Sequence, residues 1–201
     1  MKLRTLAIIA ALALPTLAVA DDTTNKSSDK AAKLSANDTK IVSHLHHVNQ
    51  VEIDLGKTAQ KSGTAAVKNY AETLVTDHQS ADKELTALGK KHGLSSIPAD
   101  KPDTDAGKQE QKDMTAAIAH LKTLKGAEFD KEFLSMMVTD HDKEVARIDV
   151  ALAASGSDPD VQAWLKSVRP VLQRHADQAR ELQKSAQTSS LAPSSPQKPT
   201  R

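Results

Sequence analysis

Apolar residues recur every three or four positions along four long stretches, and glycine or proline bounds each stretch. No other feature constrains the fold of this chain as strongly. The first stretch carries Ile41, Leu45, Val48, Leu55 and Ala59 and stops at Ser62-Gly63. The second carries Ala71, Leu74, Ala81, Leu85 and Leu88, followed by Gly93, Pro98 and Pro102. A shorter run from Gln109 to Leu124 holds Met114, Ile118 and Leu121, and Gly126 separates it from a third long stretch through Phe129, Phe133, Met137, Ile148 and Leu152. After Gly156, Asp158-Pro159 opens a fourth stretch through Val161, Leu165, Val168, Leu172, Ala179 and Leu182. Steps of three and four place side chains on one face of a helix. Ser35 and Asp158 are predicted N-caps, Pro159 suits a first helical position, and the glycines end helices. The expected class is all-α, an antiparallel four-helix bundle with an extra short helix.

Composition agrees with that class and narrows the function. Aromatic residues are only 2% of the chain, too few for stacking platforms or aromatic-lined clefts, and cysteine is absent. Disulfides, thiolate nucleophiles and Cys-based metal sites are therefore excluded. Twenty-seven basic and 26 acidic residues nearly cancel, so no nucleic-acid partner is expected. Lys2 and Arg4, the apolar run Leu6–Leu14 and the small residues Ala18-Val19-Ala20 form the pattern of a secretory signal at 1–20, cleaved after Ala20. That run is too short to span a bilayer, and no later run is longer, so no membrane span is expected. With no Cys after the signal, a lipid anchor is not expected either. The predicted location is the periplasm of a Gram-negative bacterium. Residues 21–35 and the Ser/Pro-rich 187–201 are expected to be disordered, leaving one domain over 36–186.

Gly63 and Val75-Thr76-Asp77-His78 recur 63 residues later as Gly126 and Val138-Thr139-Asp140-His141, marking two related helix-turn-helix units. The gaps in the apolar stripes are themselves patterned. They fall at Glu52, His78, His141 and His175, one per long stretch, each three or four residues from a core position. All four are expected to point inward. At a rise of about 1.5 Å per residue, His141 and His175 stand roughly 22 and 25 Å from the turn that joins their helices, nearly level. Glu52 and His78 differ in depth by about one turn.

Three imidazoles and a carboxylate suit a divalent transition metal such as Zn, Fe, Mn or Cu. Asp82 and Glu144, four and three positions beyond their histidines, are the expected outer partners of those imidazoles. The competing reading is a buried structural network of the same four residues in a bundle that binds another protein, acts as a chaperone or forms homo-oligomers. A di-iron centre would need Glu three residues before its histidines, yet Val75, Val138 and Leu172 stand there. No triad, phosphate loop or HExxH motif is present, so no catalytic residue is assigned and an enzyme is not the expected reading. His44, His46 and His47 read as a solvated face, Asp77 and Asp140 as helix flanks, Met136 and Met137 as core, and Pro170 as a kink before His175.

Several segments resemble an exported bacterial family, domain of unknown function 4142, grouped with ferritin-like helix bundles. The resemblance spans about 38–185. It rests on Glu52-Ile53-Asp54-Leu55-Gly56 with Ala59, Val67-Lys68 with Tyr70-Ala71, Val75 with Asp77-His78, Phe129-Asp130 with Phe133 leading to His141, and Pro170 before His175. It implies a ferritin-like bundle with inward Glu52, His78, His141 and His175, while a role in stress or metal homeostasis is what the four residues themselves suggest. It implies no particular reaction.

Overall fold

A computed structural model describes residues 32–154 and 156–191. The predicted signal at 1–20, and most of the two terminal segments, lie outside the described residues. Five helices follow in order: α1 (Ala36–Ser62), α2 (Ala65–Lys91), α3 (Asp105–Leu121), α4 (Gly126–Ala153) and α5 (Pro159–Leu191). The described residues contain no strand. Together the helices form a bundle in which α1 packs on α2, α2 on α5, α5 on α4 and α4 on α1, while α3 touches only α4 appreciably. Among the described residues no helix is long and apolar enough to cross a membrane.

The ends of the helices follow local chemistry. Ser35 caps α1 by accepting the Asp38 N–H, and Gly63 ends it. A Cβ at Gly63 would stand 2.8 Å from Val67 and 3.0 Å from the Ala59 carbonyl, so the tight link to α2 needs glycine for space. Gly56 serves the α1–α2 crossing in the same way, since a Cβ there would meet Val75 at 2.5 Å. The start of α2 lacks a cap from its own N-cap side chain. Asp130 of α4 replaces it, accepting from the Thr64 N–H and hydroxyl. The short helix begins at Asp105 rather than Gln109 because Thr104 caps it through the Gly107 N–H, and it ends at Leu121 rather than Leu124. At the far end of the bundle, α5 continues past 186 to Leu191.

Two apolar clusters fill the interior. One gathers Leu55, Tyr70, Leu74, Phe129, Phe133, Met137 and Ala179. The other gathers Leu45, Leu85, Val145, Ile148, Trp164 and Leu172. Along α1 and α5 the second cluster comes first and the first follows; along α2 and α4 the order is reversed. Between the clusters every long helix places buried polar side chains: Asn49 and Glu52 on α1, His78 on α2, His141 on α4 and His175 on α5. A polar layer buried between two apolar ones costs stability unless its groups find partners.

Candidate metal centre

His78, His141 and His175 are buried, at 2%, 2% and 0% exposure, and each offers a nitrogen within 4.8 Å of those of the other two. Their ring centroids are 5.2 to 5.6 Å apart. Glu52 is not among that group of nitrogens. Of the four predicted side chains, three meet at one point and the fourth stands outside it.

The hydrogen bonds around the rings decide which nitrogens face inward. Each imidazole turns one nitrogen to an oxygen of the protein. His78 Nδ1–H donates to Asn49 Oδ1 at 2.9 Å, His141 Nδ1–H to the Met137 carbonyl at 2.8 Å, and His175 Nε2–H to Asp77 Oδ2 at 2.9 Å. In a neutral imidazole the other nitrogen then carries a lone pair. Nε2 of His78, Nε2 of His141 and Nδ1 of His175 are therefore three bases facing one another. The last two are 3.3 Å apart, and His78 Nε2 has no hydrogen-bond partner among the described residues. A tetrahedral ion bound by nitrogens at about 2.0–2.1 Å holds neighbouring donor atoms about 3.3–3.4 Å apart.

A shared proton would be the other way to relieve facing lone pairs, and the surroundings oppose it. Burial, together with the charge that His141 and His175 would carry, holds His78 well below its ordinary pKa. Burial and His175 lower His141 to about 4, against the pull of the Met137 carbonyl. Burial also lowers His175 despite its bond to Asp77. At neutral pH the centre is three uncharged imidazoles.

Asp82 and Glu144 do not hold these rings. Asp82 accepts from His46 and Gln50 on α1, and Glu144 from His44 and Arg147. On their own helices they stand beside the core histidines, but the side chains that bond them lie across the groove on α1 and one turn along α4. His44 is half-buried between Asp100 and Glu144 and His46 half-buried against Asp82 rather than solvated, and of the three only His47 is exposed. The residues that hold the rings, Asn49 and Asp77, belong to other helices. Depth counting finds both: Asn49 lies about 21 Å before Gly63 and His78 about 22 Å after it, whereas Glu52 is a turn nearer. The sequence pattern makes Asp77 a flank of its own helix; in the fold it faces α5, where Arg174 and His175 share its carboxylate.

Asp140, the counterpart of Asp77 in the repeated motif, makes no side-chain hydrogen bond among the described residues, and burial raises it to about 6 against the opposing charge of Lys143. The Glu52 carboxyl is likewise unbonded, with Oε2 fully enclosed. Burial, then Asp140 and Glu144, hold Glu52 well above its ordinary pKa. A cavity of about 220 Å³ reaches His78 and His175 from the side of α1, α2 and α5, past Asn49, Trp164 and Ser167. A second cluster, His92 with Asp158 and Asp160, lies at the base of α5. Both ring nitrogens of His92 meet oxygens, Ala32 O at 2.6 Å and Asp160 Oδ2 at 2.9 Å.

The model of a family described as "Domain of unknown function (DUF4142)" matches residues 23–182. No curated protein and no solved structure matches the chain.

Proposed function

We propose, for a chain that belongs to the DUF4142 family, a non-enzymatic metal-binding protein in which His78, His141 and His175 hold one divalent transition ion. The observation that carries the reading is the set of three inward lone pairs, each fixed by an outward N–H bond to Asn49, Met137 or Asp77. Outer partners of this kind set the tautomer and aim the ring. Three imidazoles without a thiolate or carboxylate favour Zn or Cu over Mn, with Fe between them. The cavity beside His78 and His175 gives a fourth position access to water or a small ligand. Glu52 belongs to the polar layer but supplies no donor to the group of three.

The bundle is read as ferritin-like. Support comes from the opposite order of the two apolar clusters along neighbouring long helices, and from α3, which returns the chain so that α2 and α4 run the same way. One long crossover is the mark of such bundles. Export to the periplasm, inferred from residues 1–20, would place the centre where metal supply and stress vary. The competing reading, a protein-interaction or chaperone bundle, treats the same histidines as a structural network. It is less favoured because a satisfied network would not leave His78 Nε2 unpaired and two bases opposed at 3.3 Å.

Metal analysis of tag-free protein, compared with a His78→Ala/His141→Ala/His175→Ala variant, tests the reading. One ion per wild-type chain and none in the variant is expected. Equal and near-zero metal in both after exposure to zinc, copper and iron would refute it.

A further inference from the structure

A second, larger cavity of about 1000 Å³ lies between α3 and the α1–α4 face, at the upper end of the size range of ligand pockets. It exists because α3 packs thinly. Met114 and Ile118 of α3 stay half-exposed over it, facing walls built from Ile41, Val48, Val51 and Ile148. Most acidic side chains at its rim are already balanced: Asp103 by Lys40, Glu110 by Lys143 and Arg147, Asp100 and Glu144 by His44. Two are not. Glu52, 4% exposed, and the half-buried Asp140 both line the cavity and accept no hydrogen bond.

We infer that this cavity binds an amphiphilic amine, its ammonium between the Glu52 and Asp140 carboxyls and its apolar body under Met114 and Ile118. An ammonium is the group that matches the polar end, since it brings three N–H donors and the counter-charge. A buried carboxyl with no partner costs free energy that such a donor recovers. A carboxylate ligand would meet like charge at the same place, and an alcohol would bring one donor and no charge. The site uses no nitrogen of the three histidines and stands whether or not they hold an ion.

Isothermal titration of the full chain at pH 7 with octylamine hydrochloride, 1-octanol and sodium octanoate tests it. Octylamine should saturate at one per chain and bind about tenfold or more tighter than octanol, the ratio expected of a charge-assisted bond. Glu52→Gln should bring octylamine to the level of octanol, with the helical circular dichroism unchanged. Ile118→Lys, which places an ammonium inside the cavity from a half-exposed position, should abolish octylamine binding and decides the matter if Glu52→Gln fails to fold. Octanol or octanoate binding as tightly as octylamine, no octylamine binding, octylamine binding undiminished in folded Glu52→Gln, or octylamine binding retained in folded Ile118→Lys would overturn the inference.

Discussion

Among the described residues two clusters group candidate metal ligands, three histidines in one and His92 with Asp158 and Asp160 in the other, and they differ in where the imidazole lone pairs go. In the first, each of three imidazoles gives one N–H outward and keeps one free nitrogen inward. In the second, His92 has an oxygen at each ring nitrogen, and Lys91 shares its Asp160. Burial disfavours charge on His92, but the Ala32 carbonyl and then Asp160 outweigh it and raise its pKa. The protonated ring then clamps the segment before α1 to the start of α5. Proximity of His and Asp alone does not make a metal site; a free lone pair does.

Zinc should separate the two clusters most strongly. At about a thousandfold over Kd, an ion bound only by the folded state adds about 4 kcal/mol. For a chain of this size that is a rise in Tm on the order of 10 °C. The rise should vanish in His141→Ala and persist in His92→Gln, measured by thermal melts of chelator-stripped protein. A rise that survives loss of His141 would reverse the assignment of the clusters.

Acid should act on them with opposite sign. Folded His141 titrates at about 4, below the value of about 6.5 for an unfolded histidine. Between those values the unfolded chain binds the proton and the folded one does not, so stability falls as pH drops. His141 contributes about 3 kcal/mol of that loss, and His78 and His175 add to it. Glu52, with its raised pKa, works the other way from about pH 4.5 upward. Denaturant midpoints at pH 7.5 and pH 5 should therefore differ clearly in wild type and less in His141→Gln.

Smaller effects sharpen the contrast. Asp77→Ala leaves His175 Nε2–H without its acceptor and should weaken zinc binding by about 10–100-fold in a chelator competition. His92→Gln should cost at most about 1 kcal/mol, because its partners are partly solvated. That cost should be full below about pH 6.5 and disappear as pH rises through the raised pKa of His92, as denaturant midpoints at pH 6 and pH 9 would read. A cost that grows with pH would contradict the clamp.

Much of this is legible in the sequence. Apolar steps of three and four located all five helices, because burial on one face imposes that period whatever the tertiary partners. The same stripes exposed His78, His141 and His175 as interruptions, and counting rise from the turns placed His141 level with His175. Glu52 drew attention through its charge, while uncharged Asn49 did not, although the same count set Asn49 opposite His78. Asp77 looks like a flank when set against the neighbour on its own helix, yet a side chain about 100° away answers to a different helix. Asp82 and Glu144 are the mirror case: they share helices with the core histidines, but the side chains that bond them sit on α1 and a turn away on α4. The start of α3 was misplaced because Thr104 caps it inside a stretch that reads as loop. Neither the ion pairs of α1 nor the cavity under α3 has a period in sequence.

X-ray absorption at the zinc edge of the zinc-loaded protein tests the central claim most directly. A tris-histidine centre requires three nitrogen scatterers at about 2.0 Å, with the outer-shell signal of three imidazoles, and a single lighter ligand completing four. A first shell dominated by oxygen, or the outer-shell signal of no more than one imidazole, would contradict it.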